Sequence, residues 1–282
     1  HVIFWFRQDL RMLDNPAFAE ACQRGFIIPI YILDDVNSGI HKLGSASRWW
    51  LNSALRDLDD SLGGLLRFYA GDALTLLPQL AKAYNAQGVF WNRCYEPWRI
   101  NRDTKLKQRL IDNGIEVLTA NGSLLWEPWQ VLKNNGEAYR VFTPYYRRGC
   151  LSMPAPRSPI PIPKHIRYAP PDRKLGACTL TDLNLLPNID WHLKLSKHWD
   201  ISEKNALRCA TDFVSKRLTD YREGRNFPHD SKVSRLSPYL RFGQISPNMV
   251  WFLAKNSSEK IESAESLDMF LSELGWREFS YY

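Results

Sequence analysis

Val2-Ile3-Phe4-Trp5-Phe6-Arg7-Gln8-Asp9-Leu10-Arg11 opens on five apolar residues and closes in a charged turn. A short unbroken apolar run bounded by charge reads as a strand buried on both faces, the habit of parallel sheets. Asn15-Pro16 behind it has the form of a cap followed by proline at the first helical position, which starts a helix over 16–24. The alternation then continues. Residues 26–33, 65–69, 88–91 and 115–119 read as strands, and 45–62, 73–84 and 99–113 as helices. Strands and helices in turn imply βαβ units, right-handed crossovers and helices on both sheet faces. Residues 1–130 are therefore expected to form a Rossmann-like α/β domain with a parallel sheet.

Hydrophobic residues make up 44% and charged residues 24% of the 282, the balance of a folded soluble protein. No run of 18 apolar residues occurs, so no membrane span is expected. The apolar start has no basic leader before it and reads as a strand rather than a signal peptide. The five cysteines are widely spaced and lack metal-ligand spacing, which points to a reducing, cytoplasmic setting and no metal. A net charge of +7 fits either a polyanionic partner or a merely basic surface.

Residues 131–202 differ from what precedes them. Seven of the 17 prolines fall between Pro154 and Pro171, and each removes a donor and restricts its neighbour. Between Arg140 and Lys174 there are eight Lys/Arg and one acidic residue. The segment reads as a connector laid over a surface. From Glu203 the pattern is helical, over 205–221, 234–242, 246–255 and 263–282, with no strand signal. The chain stops inside the fourth of these helices on Tyr281-Tyr282, with no capping glycine or polar tail. A helical domain over 203–282 is thus expected to be incomplete, its tyrosines exposed and its Leu271, Leu274 and Phe279 without partners.

No glycine-rich phosphate loop follows any strand, so an ordinary nucleotide site is not expected. Three other stretches carry chemistry. Arg7, Asp9 and Arg11 sit at the carboxyl end of the first strand, where open α/β sheets bind ligands; a salt-bridged loop is the plainer reading. Tyr221 is followed by Val233-Ser234-Arg235-Leu236-Ser237-Pro238, where hydroxyls and unpaired N–H groups would open a helix at Ser234 and hold an anion, with Arg235 adding charge-assisted bonds. Glu273, Trp276 and Arg277 lie at i, i+3 and i+4, on one helix face. A carboxylate, a flat ring and a guanidinium suit a nucleobase. An amphipathic helix with a buried tryptophan and an i,i+4 ion pair is the alternative.

These stretches, with Ser45-Ala46-Ser47-Arg48-Trp49-Trp50, Tyr139-Arg140-Val141-Phe142-Thr143-Pro144-Tyr145 and Trp276-Arg277-Glu278-Phe279, run in one order, and the chain resembles the photolyase/cryptochrome family over essentially all its length. The resemblance implies an α/β domain, a long connector and a helical domain holding FAD. It implies light-driven repair of cyclobutane pyrimidine dimers by electron transfer from reduced FAD, in a monomer that binds DNA containing pyrimidine dimers. It matches Tyr221, Ser234, Arg235, Leu236 and Ser237 to the FAD phosphates and Arg277 to the flavin. Glu273 and Trp276 match the residues that face the flipped-out dimer, where the glutamate would stabilise the dimer radical anion and the tryptophan would replace lost stacking.

The sequence departs from the family pattern in places. Val233 stands where threonine is common, and Phe270 where tryptophan is. Trp98-Arg99 occupy the register of an Asn-Glu pair found in folate-binding members, so a deazaflavin or flavin antenna is expected before folate, with Arg7, Asp9, Arg48 and Glu96 as its candidate pocket. A cryptochrome-type photoreceptor without repair activity is the alternative. Glu273 and Trp276 favour repair, and Glu273 in place of glutamine argues against (6-4) products.

Overall fold

The computed structural model describes residues 1–172, 175–257 and 263–282. Its sheet holds β1 (Val2–Phe6), β2 (Ile27–Leu33), β3 (Arg67–Ala70), β4 (Gly88–Asn92) and β5 (Glu116–Ala120), all parallel, in the order β3-β2-β1-β4-β5. The winding reverses between β1 and β4, so the topological switch point lies there. Alternate residues serve the two faces. Val2, Phe4 and Phe6 pack with α1 (Pro16–Arg24) and α2 (Ser45–Ser61). Ile3, Trp5, Ile28 and Ile30 pack with α3 (Ala73–Ala83) and α4 (Pro97–Asp112). The expected α/β sheet is present with small boundary shifts. Asn15 caps α1 by accepting from the Phe18 N–H at 3.1 Å, as its sequence suggests. The largest shifts are of two residues: α4 starts early, with Pro97 in its first turn, and β3 starts late, at Arg67.

The connector does cover a surface. Tyr168 pairs with Ile27 and Cys178 with Phe68, extending the hydrogen bonding of β2 and β3. Arg67 donates to the Asp172 carbonyl at 2.9 Å. Arg173 and Lys174, counted above in its charge, lie outside the described residues.

After Glu203 the described residues contain helices and no strand. Helix Glu203–Lys216 is capped by Ser202, Pro247–Asn256 by Ser246 and Ala264–Phe279 by Ser263. Two expectations are corrected here. The helix expected over 205–221 ends at Lys216 and gives way to a tight turn, Leu218–Asp220, and a single turn, Tyr221–Gly224. The helix expected from Ser234 begins at Ser237, because Arg235 sits in the left-handed region at φ 55° and interrupts the helix.

One continuous apolar core runs from Val2 to Leu274. Leu271 and Leu274 are buried in it and Phe279 packs on Tyr145, so these side chains do have partners. Nor are the last tyrosines exposed. The Tyr282 hydroxyl donates to the Val131 carbonyl at 2.6 Å and accepts from the Tyr139 N–H at 2.9 Å. Gly275 lets the last helix approach the ring of Tyr146, in the wide turn Tyr145–Gly149 that follows the Tyr139–Tyr145 signature; a Cβ there would overlap the ring.

Candidate functional site

The charged turn after β1 is a fastener. Arg11 is buried and bonds only to carbonyls: Asp14 at 2.7 Å, Gly122 at 2.6 Å and Gly243 at 2.8 Å. It thereby ties the turn to the loop after β5 and to the end of helix Ser237–Phe242. Met12 and Leu13 donate their N–H groups to the Glu203 carboxylate at 2.9 and 2.8 Å. Gln244 accepts from the indole N–H of Trp50 at 2.8 Å. The plainer reading of this turn, a salt-bridged loop, holds for Arg7, which pairs with Asp103, whereas Arg11 reaches backbone carbonyls and ties the turn to the helical region.

That docking sets the position of a cavity of about 420 Å³ walled by the helical region. Tyr221, Ser234, Ser237, Arg241, Glu273 and Arg277 give it hydroxyls and charges. Leu236, Leu240, Phe270 and Leu274 give it apolar walls, and Ser280 and Tyr281 complete the lining. The volume lies within the range of small-molecule sites. Six residues singled out in the sequence thus come together: Tyr221, Ser234, Leu236, Ser237, Glu273 and Arg277.

Their bonding differs from the i,i+4 pair considered above. Glu273 pairs with Arg225. Arg277 donates to the Ser123 carbonyl at 2.8 Å and to Glu278 at 3.0 Å. Glu278 is fully buried and accepts from the Leu125 and Trp126 N–H groups at 2.7 and 3.3 Å. Burial pushes its carboxyl up to about 7 against the opposing pull of Arg277. Burial also raises the Tyr221 phenol.

Two singled-out residues are not in the lining. Arg235 turns away, its guanidinium 4.2 Å over the ring of Trp199, in the groove behind Ser234. Trp276 is neither buried nor in the cavity. It is 48% exposed and stacks on Phe142, with ring centroids 3.7 Å apart and planes 13° off parallel.

The four antenna candidates also separate. A cleft at the carboxyl ends of β1 and β2 is lined by Arg7, with Tyr31, Trp98, Arg99, Arg102 and Arg241. Arg7 itself is buried against Asp103 and the Asn92 carbonyl. Glu96 accepts from Gln8 at 2.8 Å and pairs with Arg99 at the rim. Asp9 is buried elsewhere, accepting from the Arg7 N–H at 2.7 Å and the Asn92 amide at 2.5 Å, and shapes the turn. Arg48 pairs with Asp35 and the Leu43 carbonyl. The cleft holds about 50 Å³, less than the usual volume of a small-molecule site.

Residues missed from the sequence include Glu278 and Arg241. Arg241 lines both the cavity and the cleft. Its place in Tyr239-Leu240-Arg241-Phe242-Gly243 was the available signal, since the segment ends on the glycine that meets the β1 turn.

The DNA photolyase family profile matches residues 2–164. The deoxyribodipyrimidine photo-lyase of Agrobacterium fabrum is 38% identical over 100% of this chain and 58% of its own length. Cryptochrome-2 of Arabidopsis thaliana is 32% identical over 99% of this chain and 48% of its own length. Among solved structures, a bacterial class III photolyase from Agrobacterium tumefaciens superposes with a TM-score of 0.91 at 37% identity, covering 99% of this chain and 58% of that one. The chain thus spans about half the length of the curated relatives it matches.

Proposed function

This chain belongs to the DNA photolyase family, and from that premise we propose that it serves light-driven repair of cyclobutane pyrimidine dimers in DNA, with FAD as cofactor. The observation that carries the reading is the convergence of Tyr221, Ser234, Ser237, Glu273 and Arg277 on one cavity. Hydroxyls and a guanidinium beside leucine and phenylalanine walls suit a ligand that is anionic at one end and flat and apolar at the other. FAD has that composition, so the donor set fits it.

Ser234 and Ser237 hold the cofactor's phosphates in this reading, and Arg277 and Phe270 bear on its rings. When bound and reduced, FAD supplies the light-excited electron that splits the dimer. Glu273 stands at the cavity beside Arg225; in its protonated form it would donate a hydrogen bond to a dimer carbonyl and stabilise the negative charge that develops there, with Arg225 adding positive charge alongside. Trp276 presents a half-exposed ring face outside the cavity, where an extruded base can stack. An extruded dimer is cheaper to unstack than an intact step, which supplies selectivity.

The experiment uses the full-length protein. Purified, it should show flavin absorption and remove dimers from DNA under blue light. Equal dimer loss in darkness, or no bound flavin, defeats the reading. The match to a cryptochrome favours a second reading, a photoreceptor that binds FAD and leaves dimers intact. Flavin absorption with no dimer loss in light would select it.

A further inference from the structure

Behind the cavity wall formed by Ser234 lies a second groove of about 420 Å³, and we infer that it binds a small phosphate-bearing anion. The two hollows stand back to back, with Ser234 lining both. The left-handed φ at Arg235 turns this residue into the rear groove while its neighbours Ser234 and Leu236 face the cavity.

The groove collects Lys197, Arg235 and, from the helix Glu203–Lys216 and its C-terminal cap, Arg208 and Arg217, against one carboxylate in its lining, Asp200. None of the four cations makes an ion pair among the described residues. Elsewhere the arginines of this chain commonly have carboxylate partners: Arg7 with Asp103, Arg102 with Asp34, Arg147 with Asp268, Arg225 with Glu273. Gathering like charges in a concavity costs energy unless an anion offsets it.

The three arginines among these cations are also restrained. The Arg208 Nε donates to the Asn205 amide oxygen at 2.9 Å. Arg217 donates to the Ser231 carbonyl at 3.2 Å. Arg235 sets its guanidinium carbon 4.2 Å over the ring of Trp199 and donates from Nη2 to the His198 carbonyl at 3.4 Å, which restrains it beside the groove. Forks fixed in this way match the oxygens of a phosphate, and Ser196, Ser234 and His198 add donors to the lining.

The shape decides the size of the ligand. The volume is that of a small-molecule site, and its walls are concave. A nucleic-acid backbone is instead tracked by an extended groove or stripe of cations. The shared chemistry is therefore a phosphate group, free or carried by a nucleotide.

Equilibrium dialysis and calorimetry on the full-length protein test this, with inorganic phosphate, pyrophosphate and ADP as separate probes. Saturable binding of one equivalent is expected for at least one probe. Arg208→Gln and Arg235→Gln should each weaken it about tenfold or more, while Lys216→Gln should leave it unchanged. Prior saturation of the protein with FAD should also leave it unchanged, which separates the groove from the cavity proposed for FAD. Binding of ADP but not of phosphate or pyrophosphate assigns a nucleotide; binding of all three assigns the phosphate group itself. Absence of saturable binding at millimolar concentration overturns the proposal. So does binding insensitive to Arg208→Gln and Arg235→Gln, or binding of long nucleic acid alone. Circular dichroism of each variant separates a lost site from a lost fold.

Discussion

Glu278 accepts the backbone N–H of Leu125 at 2.7 Å, a bond that joins the last helix to the loop after β5 across 153 residues of sequence. The same side chain takes the Trp126 N–H and the guanidinium of Arg277, so the wall residue Arg277 is aligned from behind by a buried carboxyl. Burial raises that carboxyl to about 7 from 4.5.

The consequence for stability has a definite sign. The folded state binds a proton between these two values that the unfolded chain has released. Glu278 therefore contributes most below about pH 4.5, and that contribution is lost as pH rises through about 7. The full effect is of the order of 3 kcal/mol. Urea denaturation between pH 5 and 8 should show wild-type stability falling, with a shallower fall in Glu278→Gln. An equal pH slope in the two proteins would contradict this.

Gly243 governs the docking of the helical region. It sits at φ 71°, and a Cβ built there would overlap the Gln8 carbonyl and crowd Asp9. Its own carbonyl accepts from Arg11 at 2.8 Å. Gly243→Ala combines left-handed strain with overpacking and should cost about 3 kcal/mol or more. Thermal unfolding would show it, and Gly64→Ala is the control, with positive φ but open space around its added Cβ. Similar losses in both would mean that docking contributes nothing beyond backbone strain.

The sheet was legible because strand and helix periods are local properties of sequence. The caps Asn15 and Ser246 were legible in the same way, through the residue types a first turn requires. Docking was not legible. That Arg11 would bond to Gly122 and Gly243 depends on contacts 111 and 232 residues away. The aim of Arg235 turns on a single positive φ in a residue that seldom adopts one. Trp276 was placed on the face of Glu273 by its i+3 spacing. At 3.6 residues per turn, however, i+3 falls about 60° to one side and i+4 about 40° to the other. Arg277 reaches the cavity and Trp276 falls against Phe142 instead.

DNA binding by the full-length protein should be strongly salt-dependent. Seven basic and three acidic residues lie between Lys216 and Arg241, next to the cavity. Each phosphate they neutralise adds about −0.9 to the slope of log K against log salt. Affinity measured from low to physiological ionic strength should give a slope of several units. A flat response would remove phosphate contacts from the account.

Trp276 allows the most direct test of how this surface meets its substrate. Its ring rests on Phe142, its edge faces Phe279 at 6.0 Å, and nearly half of its area remains in solvent. A large half-exposed aromatic surface held rigid by a stacked neighbour is suited to a further stacking partner, since little ordering entropy remains to be lost on binding. Trp276→Ala removes that platform and should weaken binding of dimer-containing duplex by about 1–3 kcal/mol. Trp276→Phe should recover part of the loss. Flavin retention should hardly change, because the ring does not line the cavity. Undamaged duplex, bound through phosphates, should bind almost as before. Titrations of damaged and undamaged duplex against the three proteins decide between stacking and packing. Equal discrimination in wild type and Trp276→Ala would mean that the ring serves only to cover Phe142.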